Sequence, residues 1–325
     1  MIKSKKNTKI SIIIPLFKET EYFRETIREC LALNYDNFEI LVGIDNNSAF
    51  RSDHTKVTVF KTGKSLTGPG EKRDIGILRA SGELIAFLDD DSYPDKKWLK
   101  KIVEVMGSKK VSAVCGPGLT PPADNFSKKL TGAILSSRLG SGPYFYRFIK
   151  GRPSLVDDYP AYNLIVTRAA LLKIGGFKTK FYGGEDTTLC LKLIQSGEKI
   201  YYHPDIVVYH HRREFPFEYM RQVGNVGLHR GFFAKKYPQT SFRISYFAPA
   251  IFMLGSIVFI SMTFILEKFQ FLIAVVSIYY FSVFLYSLIV NTILISLLLP
   301  IALLINHWTY GFKFIRGLFL NKLER

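Results

Sequence analysis

Two long stretches without charge most strongly limit what this chain can fold into. Residues 244–266 contain no charged side chain, and residues 269–312 contain one group that titrates near neutrality, His307. A helix needs roughly 20 apolar residues to cross a membrane, and helices of soluble cores rarely run this long without a polar face. The sequence therefore predicts a C-terminal membrane region, with a large buried helical core as the weaker alternative.

Three helices fit the length of this region, at about 244–266, 269–289 and 291–311. Three crossings would carry a basic tail to the outside, although basic residues favour the cytoplasmic side. The tail contains four basic residues, Lys313, Arg316, Lys322 and Arg325. We therefore expect two crossings followed by a re-entrant or interfacial helix, broken near Pro300, with three crossings as the alternative.

The polar part of the chain has the features of a cytoplasmic protein. Its basic start leads directly into a short apolar run and Pro15, so no secretory signal is expected. The three cysteines, Cys30, Cys115 and Cys190, are scattered and indicate no disulfide framework. The net charge of +17 would attract nucleic acid, an anionic leaflet or an anionic substrate. The absence of nucleic-acid-binding motifs and the presence of membrane segments favour the leaflet.

The first two-thirds of the chain alternates strand-like and helix-like segments, which predicts an α/β fold with a mostly parallel sheet. The predicted strands are 10–14, 38–44, 57–60, 83–88, 111–115 and 163–167. The predicted helices are 20–33, 70–80, 95–106, 168–174 and 186–196. Residues 120–160 are rich in Gly, Pro and Ser and are expected to form long loops around one short helix. Residues 215–237 mix aromatic and basic side chains, which favours an amphipathic helix lying on the bilayer.

Three consecutive aspartates, Asp89, Asp90 and Asp91, follow the apolar run 84–88. Clustered carboxylates repel one another, and burying them without a counter-charge is costly. Side chains two positions apart on an extended chain point the same way, so Asp89 and Asp91 should face one site. Oxygen ligands suit Mg²⁺ or Mn²⁺, and Mg²⁺ commonly completes its coordination with substrate phosphates. The cluster therefore predicts a divalent cation and a phosphate-bearing substrate.

Other motifs surround this triplet in a fixed order. They are Pro15-Leu16-Phe17-Lys18-Glu19, Asp45-Asn46-Asn47-Ser48, Lys72-Arg73, Gly183-Gly184-Glu185-Asp186 and His210. Over about residues 8–232, the chain resembles the inverting family 2 glycosyltransferases of the GT-A fold. The resemblance implies a Rossmann-like sheet that binds a nucleotide diphosphate sugar.

The resemblance also implies roles for individual residues. Asp91, Asp89 and His210 would hold Mg²⁺ or Mn²⁺. Asp186, beside Glu185, is the candidate catalytic base, and we expect the macrodipole of helix 186–196 to keep its carboxylate ionised. The candidate donor-binding residues are Pro15, Phe17, Glu19, Asp45, Lys72, Arg73, Asp89 and Asp90.

Each motif also has an alternative without a catalytic role. Glu185 and Asp186 stand where acids commonly begin a helix, and Arg73 has the pattern of a solvated surface charge. His210 and its neighbour His211 are also compatible with an ordinary strand end. Asp45 with the following residues is compatible with a simple turn.

The chain departs from the family pattern in several places. Asn46-Asn47 replaces an acid and a glycine, and Asp74 replaces a common asparagine. The Gln-x-x-Arg-Trp motif of processive synthases is absent, which argues against a processive enzyme. Ser92-Tyr93-Pro94 stands where polyprenyl-phosphate sugar synthases usually carry a glutamine, which weakens that assignment without excluding it.

These features predict a hexosyltransferase-type enzyme with metal-dependent, inverting transfer to a lipid-linked or glycolipid acceptor. The alternatives are a polyprenyl-phosphate sugar synthase, a non-catalytic membrane scaffold and a basic nucleic-acid binder. The expected organisation is a GT-A domain at 1–232, an interfacial segment at 213–243 and a membrane region at 244–325. We expect the catalytic domain on the cytoplasmic side of the cell membrane.

Overall fold

A computed structural model describes residues 7–178 and 183–323. The chain divides into two compact units. The described residues of 7–121 and 146–211 form the first, and 122–145 with 212–323 form the second. The first unit contains both sheets, and the second is helical.

Eleven strands lie in the described part of the first unit. They are β1 Ile10–Pro15, β2 Phe38–Ile44, β3 Val57–Lys61, β4 Leu84–Phe87, β5 Ser92–Pro94, β6 Ala113–Cys115, β7 Gly118–Leu119, β8 Ser154–Val156, β9 Leu164–Thr167, β10 Ile200–Tyr202 and β11 Val208–His210. Eight form one sheet in the order β3-β2-β1-β4-β9-β6-β10-β8, and β5-β11-β7 form a small second sheet.

The large sheet is mostly parallel. β1 pairs in parallel with β2 and β4, β2 with β3, and β6 with β10. The antiparallel exceptions are β9, between β4 and β6, and the edge strand β8. The predicted α/β class with a mostly parallel sheet is therefore confirmed.

Twelve α-helices lie among the described residues. They are α1 Glu21–Leu31, α2 Pro69–Arg79, α3 Trp98–Ser108, α4 Phe126–Ser136, α5 Arg138–Ser141, α6 Arg168–Ile174, α7 Glu185–Gln195, α8 Phe217–Lys236, α9 Pro238–Ser241, α10 Ile244–Ile265, α11 Phe269–Leu288 and α12 Ile293–Phe319. Two short 3-10 helices occupy Gly142–Arg147 and Ala161–Asn163.

Apolar side chains on both faces of the large sheet are buried. Ile12 and Ile14 of β1 pack with Phe23 of α1 in one core cluster, whereas Ile13 packs in another with Phe87. Successive side chains of a strand point to opposite faces, so β1 is covered on both sides, as parallel strands usually are. The predicted strands and helices of this unit match the observed bounds to within three residues.

The prediction of long loops for 120–160 is wrong for its first half. α4, α5 and a 3-10 helix fill most of 126–147. Asn125 caps α4 by accepting a hydrogen bond from the Lys128 N–H, at 3.0 Å. Leu130 and Ile134 then pack in the core of the helical unit beside Leu299. Tertiary packing therefore stabilises α4, although the surrounding sequence is rich in the turn-forming residues Gly, Pro and Ser.

The helical unit contains three helices that are long and apolar enough to cross a membrane: α10, α11 and α12. Their starts lie within two residues of those predicted. α12 is longer than expected, because it ends at Phe319 and continues through Pro300. The expected break near Pro300 is therefore wrong, while the number of crossings stays a prediction.

The predicted helix at 215–237 also forms, as α8, and it packs closely on α12. A Cβ atom at Gly227 would lie 2.6 Å from the carbonyl oxygen of Tyr310, so only glycine allows this approach of the two backbones. The position of α8 on a bilayer stays a prediction. All three cysteines are free and buried, as the expected lack of a disulfide framework requires.

Candidate active site

Three strands bring the predicted metal ligands together. Asp89 and Asp91 follow β4, and His210 ends β11, where it pairs with Ser92 of β5. His210 Nε2 lies 3.0 Å from Asp91 Oδ1, and ligand atoms of Asp89, Asp91 and His210 all lie within 4.8 Å of one another. We call these three residues the metal cluster. Two carboxylates and an imidazole at this separation fit one divalent cation.

His211 lies outside the metal cluster. Its Nε2 is 2.8 Å from Glu25 Oε2 of α1, and its backbone N–H donates to the Asp91 carbonyl oxygen at 3.0 Å. The adjacent histidines therefore face different partners, and His211 ties the end of β11 to α1.

Arg73 connects the metal cluster to Gly183-Gly184-Glu185-Asp186, which we call the acidic motif. The side chain on α2 is buried, and Nη2 donates to Asp89 Oδ1 at 2.6 Å while Nη1 donates to Glu185 Oε1 at 3.3 Å. Burial lowers the pKa of the guanidinium, but Asp89, Glu185 and Asp186 outweigh it and raise the pKa overall. The alternative of a solvated surface charge is wrong for Arg73, and its contact with phosphate stays a prediction.

Glu185 and Asp186 both lie in the first turn of α7, which starts one residue earlier than expected. Glu185 forms an ion pair with Arg73 and accepts a hydrogen bond from the Gly183 N–H at 2.9 Å. Asp186 Oδ2 instead accepts one from the Ala161 N–H, at 3.2 Å. The two neighbouring acids therefore have different environments.

At Asp186, the effect of burial opposes the expected effect of the helix macrodipole. Burial, together with the charges of Glu185 and Asp158, raises the pKa of Asp186 to about 7, although Arg73 and the Ala161 N–H oppose this. A macrodipole contributes about 0.3–1 kcal/mol, whereas burying a carboxylate among other carboxylates costs more. Asp186 consequently gains or loses a proton near neutral pH.

Asp45 and Lys72 form a buried ion pair at the ends of β1 and β2. Lys72 Nζ donates to Asp45 Oδ2 at 2.9 Å and to the Leu16 carbonyl oxygen at 2.7 Å. Asp45 Oδ1 accepts from the Thr67 N–H at 2.9 Å. The pair fixes these strand ends, and the predicted contacts of both residues with the donor stay predictions.

The remaining predicted donor residues surround the loop after β1. Pro15 is buried, Phe17 is 69% exposed, and its N–H lies 3.5 Å from Asp90 Oδ2. Glu19 is exposed and pairs with Arg24 at 2.9 Å. The structure thus brings Phe17 to the aspartate triplet, while Glu19 contacts α1.

Sequence reasoning assigned no functional role to the segment 158–163. Its Asp158, Ala161 and Tyr162 are all buried. Ala161 contacts Asp186, and the Tyr162 ring lies 4.8 Å from the His210 ring, measured between centroids. Two acids and two tyrosines within six residues, 157–162, were the available signal.

Comparison with known proteins now gives the class. Residues 11–174 match the model of "Glycosyl transferase family 2". The chain belongs to this family and is a glycosyltransferase.

Two curated relatives show how far the similarity extends. One, from Methanococcus voltae, is a dolichyl N-acetyl-alpha-D-glucosaminyl phosphate 3-beta-D-2,3-diacetamido-2,3-dideoxy-beta-D-glucuronosyltransferase. It is 26% identical over 95% of this chain and 97% of its own length. The other is the GalNAc(5)-diNAcBac-PP-undecaprenol beta-1,3-glucosyltransferase of Campylobacter jejuni, 25% identical over 55% of this chain and 58% of its own length.

A similar solved structure is that of the mannosyltransferase PcManGT from Pyrobaculum calidifontis, in complex with GDP-Man and Mn²⁺. It has a TM-score of 0.53 and 17% identity, and the match covers 78% of this chain and 72% of that one. This likeness confirms the predicted GT-A fold.

Proposed function

We propose that this enzyme transfers a sugar from a nucleotide diphosphate sugar to a lipid-linked or glycolipid acceptor in the membrane, with metal dependence and inversion. One observation carries the proposal: Arg73 joins the metal cluster to the acidic motif, so a cation site and a carboxylate with a raised pKa belong to one site. Those are the two groups that departure of a diphosphate and attack by a hydroxyl require.

Asp89, Asp91 and His210 would hold the cation, Mg²⁺ or Mn²⁺. When bound, it supplies Lewis-acid stabilisation of the negative charge on the leaving diphosphate. Two observations support the fit. The three side chains already converge, with one ligand atom of each lying within 4.8 Å of the others. The similar Pyrobaculum enzyme is described with Mn²⁺.

Asp186 would act as the general base. The acceptor hydroxyl gives its proton to the Asp186 carboxylate as its oxygen bonds to the anomeric carbon, and the bond from that carbon to the diphosphate breaks on the opposite face. Configuration at the carbon therefore inverts. A base is most effective when its pKa lies near the working pH, and Asp186 meets this condition.

A membrane lipid as acceptor is supported by two independent observations. The Methanococcus and Campylobacter relatives carry dolichyl and undecaprenol in their names. The chain also has three helices long and apolar enough to cross a bilayer, which would keep the enzyme where such acceptors reside. In this proposal 1–232 is the catalytic domain on the cytoplasmic face, 213–243 contacts the interface and 244–325 is the membrane region.

The proposal is tested with the full chain in detergent. Thermal-shift screening against UDP-, GDP- and dTDP-sugars, with and without Mn²⁺, should identify a donor whose stabilisation needs the cation. Asp91→Ala should abolish that dependence. The donor is then supplied with polyprenyl-diphosphate-linked sugars in vesicles, and NMR of the product should show inverted anomeric configuration.

Two outcomes would change the proposal. Transfer to polyprenyl phosphate itself would indicate the synthase alternative, and the absence of transfer to any lipid would overturn the acceptor class. The number of crossings is tested separately: an epitope tag after Arg325 that intact cells expose to antibody indicates three crossings, and a protected tag indicates two.

A further inference from the structure

We propose that Tyr162 is a positioning residue that holds the imidazole of His210 for metal binding. Through its neighbour Ala161, the same segment aligns the metal cluster with Asp186. This inference rests on the proposed function, because it takes His210 as a metal ligand. No motif assigns a role to Tyr162, and its function follows from geometry alone.

A metal-binding histidine usually has its second ring nitrogen fixed by a hydrogen bond to a carboxylate or carbonyl group. His210 departs from this rule, since its Nδ1 is buried and no described residue bonds to it. Its ring packs instead on Tyr162, with centroids 4.8 Å apart and planes at 49°. Ring packing therefore supplies the orientation that a hydrogen bond usually provides.

Tyr162 can do this because it is itself firmly held. The residue is buried, and its hydroxyl donates to the Arg147 carbonyl oxygen at 3.0 Å. Arg147 in turn donates to the Asp158 carbonyl oxygen at 2.6 Å. On another side, a Cβ atom at Gly118 would lie only 2.5 Å from Tyr162 Cε2, so the ring has no free space there.

The other contacts of the segment lead to the catalytic base. Ala161 N–H donates to Asp186 Oδ2 at 3.2 Å. Tyr159 N–H donates to Cys190 Sγ on α7 at 3.4 Å, and the Cys190 thiol donates back to the Tyr159 carbonyl oxygen at 3.5 Å. Because Ala161 and Tyr162 are adjacent, a displacement of either residue would move the contacts of both Asp186 and His210.

The test measures binding of Mn²⁺ alone to the full chain in detergent, by the loss of the free-ion EPR signal. Tyr162→Leu removes the ring and should weaken Mn²⁺ binding by about tenfold, the lower end of the range for residues that orient metal ligands. Tyr162→Phe keeps the ring and should bind Mn²⁺ nearly as well as the wild type. Turnover of Tyr162→Leu should recover at saturating Mn²⁺.

Tyr202→Leu is the matched control, because Tyr202 is also fully buried and contacts Tyr146 and Tyr159 rather than His210. It should lower the melting temperature without changing Mn²⁺ affinity. If Tyr162→Leu does not fold, Gly118→Ala displaces the same ring and should also weaken Mn²⁺ binding. Unchanged affinity in the folded variant would overturn the inference.

His210→Ala separates this inference from the proposed function. If the wild type does not bind Mn²⁺, or if His210→Ala binds it equally well, the proposed metal cluster fails. If His210→Ala weakens binding and Tyr162→Leu does not, the metal cluster stands and the role of Tyr162 is wrong.

Discussion

The metal cluster and the acidic motif each contain two carboxylates but differ in how the charge of these carboxylates is balanced. In the metal cluster, Asp89 bonds to Arg73 and Asp91 lies against His210. In the acidic motif, Glu185 pairs with the second terminal nitrogen of Arg73. Asp186 instead accepts a hydrogen bond from a backbone N–H and lies near carboxylates that raise its pKa. The comparison teaches that the charge balance of a carboxylate depends on the partners that the fold gives it, rather than on its sequence motif.

Removing the Asp186 carboxylate, the proposed general base, should have the largest effect on turnover. We expect Asp186→Asn to reduce turnover by about 10²–10⁴-fold, the usual contribution of a general base, while donor binding stays nearly unchanged. Initial rates and calorimetric donor binding measure the two quantities. Asp205→Asn, on an exposed turn, is the control and should match the wild type. Full turnover in Asp186→Asn would remove this residue as the base.

Removing the Arg73 guanidinium, which pairs with both the metal cluster and the acidic motif, should have the next largest effect. Arg73→Met leaves Asp89 and Glu185 without their common partner. Breaking a buried ion pair costs roughly 3–5 kcal/mol, and we expect about 3 kcal/mol of unfolding free energy here because Asp89 is partly exposed. Arg73 lowers the pKa of Asp186, so its loss should also move the acid limb of the pH–rate profile to higher pH.

Denaturant unfolding and the pH–rate profile check this prediction. Arg73→Lys keeps the charge with a single donor group, and it should fall between the wild type and Arg73→Met in both measurements. An unshifted acid limb in Arg73→Met would mean that the metal cluster and the acidic motif are electrostatically independent.

The pH dependence of the wild type tests the proton affinity of Asp186 directly. The base acts when it is deprotonated, so kcat/KM should rise with pH and level off above about 7, falling about tenfold per unit below that. For stability the sign is opposite. The folded protein binds more protons than the unfolded chain between about pH 4 and 7, so Asp186 makes folding less favourable as pH rises through this range. Asp186→Asn should therefore raise the melting temperature at pH 8 more than at pH 5.

The strands and the metal cluster could be predicted from the sequence, but the partners of individual charged side chains could not. β1 and β2 were predictable because continuous apolar runs give buried parallel strands. Asp89, Asp91 and His210 were predictable as a group because the family motif places them at strand ends. The partners of Arg73 were not, since Asp89 and Glu185 are 96 residues apart in the sequence and no local pattern predicts that one guanidinium reaches both.

The segments 126–147 and 158–163 were unpredictable for a different reason. α4 is stabilised by packing with Leu299 and its neighbours on α12, far along the chain. Tyr162 and Ala161 have roles only because β11 and α7 bring His210 and Asp186 to them. Such roles depend on the tertiary fold, and composition rich in Gly and Pro indicates only loops.

Another carboxylate, Asp74 of α2, should show the smallest effect and sharpen the comparison. Its two oxygens accept hydrogen bonds from the N–H groups of Phe177 and Lys178, at 2.7 and 2.8 Å, and burial raises its pKa. It has neither a cation site nor a proton to transfer. Asp74→Asn keeps one acceptor oxygen, so we expect a loss of about 1 kcal/mol of unfolding free energy, the typical value of one hydrogen bond.

The turnover of Asp74→Asn and the pH at which its rate levels off should match the wild type. Denaturant unfolding and the pH–rate profile measure these quantities, with the exposed Asp205→Asn again as the control. A shifted profile would mean that Asp74 influences the proton affinity of Asp186. In that case the proton affinity of Asp186 would depend on two neighbouring residues of α2, Asp74 as well as Arg73.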